Sequence, residues 1–137
     1  MRNLLLLLCA LFLAQGCGDS RRLGTVSGKI TLDGQPLPNA RVNFQPMEGR
    51  NPGIGSYGQT DVKGEYSLTL IDEKAQGAMV GLHRVIIKAA PAKGSQTDDK
   101  VPAGKDVVPP EYNTNSILQF EVKPGHNEAN FDLKKKK

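Results

Sequence analysis

Two histidines, His83 and His126, and two cysteines, Cys9 and Cys17, are all the imidazole and thiol this chain possesses. Neither histidine sits in an HExxH or H-x-H pattern, and a zinc site needs three or four ligands drawn from His, Cys and carboxylates. The sequence therefore predicts His83 as a half-buried strand residue, His126 as a turn residue, and no metal between them. Asp72-Glu73 and Asp98-Asp99 lack the alternating oxygen ligands of a calcium loop and read as solvated loop acids. Gly53-Ile54-Gly55-Ser56-Tyr57-Gly58 matches G-x-G-x-x-G by letter. A dinucleotide site requires a helix after that motif, so that its N-terminal amides meet the pyrophosphate. Here residues 59–64 lead toward another extended run, so a flexible loop is expected and no cofactor. The stretch is not a nucleophile elbow either, because position 54 is Ile. No Ser/His/Asp set assembles from two histidines, and the chain is expected not to be an enzyme.

The elements that would carry any site follow from composition. The chain has 137 residues with 15 Gly, 9 Pro, three Tyr, four Phe and no Trp. That length holds one domain, and the Gly and Pro content favours many turns over a helical bundle. The formal net charge is +4. Arg2 and the lysine run at 134–137 account for all of it and leave the remainder slightly acidic. A nucleic-acid binder needs a basic stripe on the fold with base-reading or stacking side chains; none is visible, so no nucleic acid is expected. The lysine run reads as a solvated tail, with contact to an anionic surface such as lipid head groups or wall polymer as the competing use.

The first residues read as an address. Arg2 precedes an apolar run through residues 4–8 and 10–14, too short to span a bilayer core of roughly 30 Å but suited to a signal peptide. The run ends in Leu13-Ala14-Gln15-Gly16-Cys17, which resembles the lipobox of bacterial lipoproteins, with Ala14 where that family usually has Leu. The resemblance implies cleavage after Gly16 and a diacylglyceryl group on Cys17. An ordinary secretory signal with an incidental Cys is the competing reading. Cys9 would leave with the leader, and a lone exposed thiol in an oxidising compartment is a liability that acylation removes. One acyl chain binds a membrane only marginally, whereas two or more hold stably. The expected division is a signal peptide at 1–16, lipidated Cys17 and a short linker at 17–24, a domain at 25–133, and the lysine tail at 134–137.

The domain reads as strands. Val26, Ile30 and Leu32 alternate with polar neighbours, as do Val42 with Phe44, Tyr66 with Leu68 and Leu70, and Leu118 with Phe120 and Val122; Ala129, Phe131 and Leu133 repeat the pattern. Within residues 82–89 the inward set is His83, Val85, Ile87 and Ala89, with Leu82 and Ile86 making the other face apolar too. Period-two alternation in short runs between turn residues signals an antiparallel sandwich or barrel. Asp33-Gly34 closes the first strand. Pro36 and Pro38 keep the next stretch on an edge or crossing between sheets. Asp61-Val62-Lys63-Gly64 reads as a hairpin loop with Gly64 left-handed, and Pro124-Gly125-His126-Asn127 as the turn of a final pair. Residues 47–58 and 90–108 are expected loops, the second long enough to be either mobile or functional.

Val26-Ser27-Gly28-Lys29-Ile30, Asp33-Gly34-Gln35-Pro36-Leu37-Pro38-Asn39-Ala40-Arg41-Val42 and Thr60-Asp61-Val62-Lys63-Gly64-Glu65-Tyr66 resemble the carboxypeptidase regulatory-like domain. Gly81-Leu82-His83-Arg84-Val85, Pro109-Pro110-Glu111-Tyr112-Asn113 and Val122-Lys123-Pro124-Gly125 are similar to a version found as small bacterial envelope lipoproteins. The resemblance implies an all-β, seven-stranded antiparallel Greek-key sandwich of prealbumin (transthyretin-like) type over about residues 25–133. Such domains are usually auxiliary modules without catalytic ligands. The hydrolase relative on that fold ends in Tyr-Arg-Gly-Ser, whereas this domain ends Asp132-Leu133-Lys134.

The function expected is that of a non-catalytic, membrane-anchored binding or adaptor module of the bacterial cell envelope, facing the periplasm or exterior. Its partners would be the membrane through Cys17 and another envelope protein. The linker at 18–24 reaches at most about 25 Å, so a partner must sit close to the membrane, and an edge strand near residues 36–45 could accept a partner strand. A carbohydrate- or cell-wall-binding module is the alternative, with Tyr57 and Tyr112 as the candidate binding surface.

Overall fold

The computed structural model describes residues 22–48, 53–72, 75–89 and 107–135. The leader, Cys17 and most of the 90–108 loop lie outside them. The described residues form strands β1 (Leu23–Leu32), β2 (Gln35–Pro36), β3 (Ala40–Pro46), β4 (Ser56–Gln59), β5 (Glu65–Ser67), β6 (Thr69–Leu70), β7 (Ala78–Met79), β8 (Gly81–Ala89), β9 (Gln119–Val122), β10 (Gly125–Glu128) and β11 (Phe131–Leu133), with one 3-10 turn at Pro110–Tyr112.

Two sheets result, one six-stranded and built around β1, the other five-stranded in the order β6-β4-β3-β8-β9. The second is antiparallel throughout. In the first, β1 pairs antiparallel with β7, β5 and β2 along one edge and parallel with β10 and β11 along the other. This departs from a wholly antiparallel sandwich. Parallel neighbours require a long crossover, and here nearly the entire domain serves as that crossover between its first and last strands.

The strands are also shorter and more numerous than the seven expected, because extended runs change sheet partway. Glu65–Ser67 pairs with β1 whereas Thr69–Leu70 pairs with β4, so one run crosses from sheet to sheet at Leu68. A second crossing falls between β7 and β8, where Gly81 has φ 133, a backbone state closed to most side chains.

The alternation places the core where it was expected. Val26, Ile30, Val42, Phe44, Tyr66, Leu68, Leu70, Val85, Ile87 and Val122 are buried. Phe44, Phe120 and Phe131 meet edge to face, with centroids 5.8 to 6.5 Å apart, a geometry worth about 0.5–1.5 kcal/mol per pair beyond area burial. Val108 is also in the core, at 2% exposure, although the sequence placed it at the end of a loop.

The first turn falls where it was expected, and two later ones differ in what they join. Asp33 and Gly34 both have positive φ, 53 and 82, and close a two-residue hairpin between β1 and β2. Gly64 has φ 77 as predicted, but its turn links strands of different sheets rather than a hairpin pair. Pro124-Gly125 likewise carries the chain from β9 in one sheet to β10 in the other. The loop expected at 47–58 is shorter, since Ser56–Gln59 is β4. Gly58 sits there because a Cβ would lie 2.5 Å from the Ser67 carbonyl oxygen, a packing reason and not a phosphate-binding one.

Candidate functional site: a polar groove on the outer face of the first sheet

Outward residues of β1, β5, β10 and β11 share one face because strand side chains alternate. Their registers set them in rows. Ser67, Ser27 and Glu128 form one row, Glu65 and Lys29 the next, and Thr31 lies beside Asp132. With Gln59, Asp61, His126 and Asn130 they line an open groove of about 760 Å³.

The floor of this groove is fixed by a break in the parallel ladder. Ser27 pairs with Glu128 and Ile30 with Phe131, one register throughout, but between them the Lys29 amide donates to the Asn130 side-chain oxygen at 2.8 Å. The Asn130 amide then donates to Glu128 Oε1 at 2.7 Å. Beneath, Gly28 faces inward; a Cβ there would lie 1.9 Å from the Ala129 carbonyl oxygen, so only glycine allows the strands to approach this closely. The Tyr66 hydroxyl spans β1 at that glycine and donates to Ala129 O. Burial pushes the Tyr66 hydroxyl well above the ordinary tyrosine range.

The rim is equally ordered. Thr31 Oγ1 donates to Asp132 Oδ1 at 2.5 Å. Asp61 Oδ1 accepts from the Glu65 and Lys63 amides at 2.9 and 2.8 Å. Those amide bonds, with the Glu65 amide foremost, hold the Asp61 carboxyl below its usual value. Among the described residues, the face therefore presents carboxylates from Asp61, Glu65, Glu128 and Asp132 around one ammonium, Lys29, with hydroxyls and the amides of Gln59 and Asn130 between. Such an array offers hydrogen bonds and charge without a nucleophile–base pair. Among the described residues, no group of three or more His, Cys, Asp or Glu is placed to hold a metal ion.

The residues singled out from sequence fall elsewhere. Tyr57 faces out from β4 at 38% exposure, with the Arg41 guanidinium 5.8 Å above its ring. Tyr112, in the 3-10 turn, packs against the core. One tyrosine points away from the sandwich and the other into it, so the structure does not bring them together as a platform. The stretch proposed for strand addition also proves different. β3 lies between β4 and β8 with both backbone edges paired, and only β2 is at a sheet edge.

His83 is fully buried rather than half-buried. Its Nδ1 lies 3.0 Å from the Gly81 carbonyl oxygen, its ring meets Phe44, and its Nε2 is buried without a partner. Desolvation pulls its pKa below the ordinary value, against the opposing effects of the Gly81 carbonyl and the Glu48 charge. His126 lies in β10 on the groove, 3.4 Å from Thr25 Oγ1. Thr60, which the sequence offers only as part of a motif, is a buried linchpin. Its hydroxyl donates to Leu37 O at 2.6 Å and accepts from the Ala40 amide at 2.8 Å, fixing the crossing from β2 to β3. No protein family, curated protein or solved structure matches the chain.

Proposed function

We propose that this protein is a non-catalytic binding module of the bacterial envelope, tethered to a membrane through lipid on Cys17 and recognising another envelope protein through the groove of the first sheet. The observation that carries the reading is the groove itself, open, strand-built and lined by fixed charges and hydrogen-bonding groups. Strand-borne groups locked by Asn130 and Asp61 are preorganised, which lowers the ordering cost of association. The motifs at residues 26–30, 33–42 and 60–66, which resemble those of carboxypeptidase regulatory-like domains, a family of auxiliary modules, are in keeping with the same reading. The carbohydrate alternative has less behind it, since among the described residues the one Tyr, Phe or Trp lining the groove is Tyr66, at 4% exposure.

The test is crosslinking in cells with wild type, Cys17→Ala, and the groove double variant Lys29→Ala/Glu128→Ala, followed by mass spectrometry. A discrete protein captured by wild type and lost from both variants is the expected result. Capture of glycan alone would replace the adaptor with the wall-binding module. Fractionation of wild type and Cys17→Ala as equally soluble would remove the membrane tether.

A further inference from the structure

The sandwich has two ends, and its chain entry at Arg22 and its Lys134 and Lys135 lie at opposite ones. At the entry, Leu23 pairs with Met79 and the Val80 amide donates to Arg22 O at 2.8 Å. The strand ends that gather there bring two apolar side chains into solvent. Met47, just past β3, is bonded through its amide to Leu82 O and is 45% exposed; Ile71, just past β6, is bonded through its amide to Gly55 O and is 55% exposed. Gly53 and Met79 close the space between the sheets, the position of a Gly53 Cβ lying 2.5 Å from Met79 Sδ. At the far end, Leu32 pairs with Leu133 and the Lys135 amide donates to Asp33 Oδ1 at 3.0 Å. β1 joins the two ends over ten residues, about 30 Å at the usual strand rise.

We propose that the entry end is a membrane-apposed face, with Met47 and Ile71 seated in the lipid interface and Lys134 and Lys135 held about one β1 length away from it. This rests on the lipidation of Cys17. From Cys17 to Arg22 is five residues, at most roughly 18 Å of chain, so a lipid on that cysteine keeps this end at the bilayer. Among the described residues at this end, the exposed Arg22 and Lys123 stand with the exposed Glu48 and Asp72, so the charge there is mixed, and tether and apolar contact set the orientation. Lys134 and Lys135, at the far end, are left to engage polymer or protein rather than the anchoring membrane.

The chain contains no Trp, so a single introduced tryptophan reports its own surroundings. The full processed protein, purified from membranes, is reconstituted in vesicles of phosphatidylethanolamine with phosphatidylglycerol, with and without brominated acyl chains. Ile71→Trp and Met47→Trp are compared with Val62→Trp; Val62 is 84% exposed in the turn whose Gly64 carbonyl accepts from the Ile30 amide near the far end. Emission from Ile71→Trp and Met47→Trp should shift to the blue and be lost to bromine quenching, while Val62→Trp is unchanged. Met47→Trp serves if Ile71→Trp does not fold. Equal quenching at the two ends, or none at the entry end in protein that floats with vesicles and whose Cys17 peptide carries lipid mass, overturns the orientation and leaves the anchor standing. A Cys17 peptide without lipid mass overturns the anchor, and the orientation with it.

Discussion

The Tyr66 hydroxyl donates to the Ala129 carbonyl oxygen at 2.6 Å, across the full width of β1. β5 is not a neighbour of the segment joining β10 to β11, yet this bond ties the two together past Gly28 of β1, a position that has no side chain. It fixes the groove floor from below, while Asn130 fixes it from above.

Tyr66→Phe should therefore cost about 1–3 kcal/mol, the usual penalty for leaving a buried acceptor unsatisfied. Gly28→Ala should cost at least as much, because its Cβ meets backbone that cannot swing aside. Urea unfolding checks both, with a lowered midpoint and unchanged slope. A Tyr66→Phe midpoint equal to wild type would mean that Ala129 O finds another donor and that the bond is incidental.

Thr60→Val keeps the shape of the side chain and removes both of its bonds, stranding Leu37 O and the Ala40 amide. The expected loss is about 2–4 kcal/mol, since two buried backbone groups lose their partner together. Thermal unfolding of Thr60→Val and Thr60→Ser separates the causes. The serine variant should recover most of the loss, and a serine variant as unstable as the valine one would assign the effect to the methyl group.

Acid should act on this protein through His83. Its folded-state pKa is lowered chiefly by desolvation, so below the ordinary value of 6.5 the unfolded chain takes up a proton that the folded chain refuses. Stability is fully present above that value and declines as pH falls toward the folded pKa. Unfolding free energy measured from pH 7.5 to 5 should fall for wild type and lie flatter for His83→Leu. Parallel curves would show that the imidazole is solvated enough to titrate normally.

The alternation of Val26, Ile30 and Leu32, or of Val42 and Phe44, announces which side of each strand is buried, and the structure buries those residues. Alternation does not name the neighbouring strand. Nothing local marks Ala40–Pro46 as paired on both edges, or Leu68 as the point where a run leaves one sheet for the other. The groove was hidden for the same reason. Lys29, Glu65, Glu128 and Asp132 each read as outward polar residues, but they converge only because β1 pairs antiparallel with β5 on one side and, on the other, in parallel with strands about a hundred residues on, as between Thr31 and Asp132. Tyr57 and Tyr112 both fall in or beside loop-like sequence, which does not distinguish a ring that faces out from one that packs inward.

Asn130 offers the sharpest test of the groove floor, because its two ends do different work. N130D keeps an oxygen for the Lys29 amide and turns the donor facing Glu128 into a second carboxylate. At neutral pH the pair should repel and cost about 0.5–1.5 kcal/mol, a modest figure because the site is exposed and screened by salt. Sharing a proton raises a carboxyl pKa in the folded state above its unfolded value, so the variant should recover stability as pH falls and lose it again as pH rises. N130A, by contrast, should be destabilised to the same extent at every pH. Unfolding free energies of both variants relative to wild type from pH 7 to 4, at low and at high salt, decide the matter. A pH-independent N130D would mean that Glu128 turns away and that the Asn130–Glu128 bond does not help hold the floor.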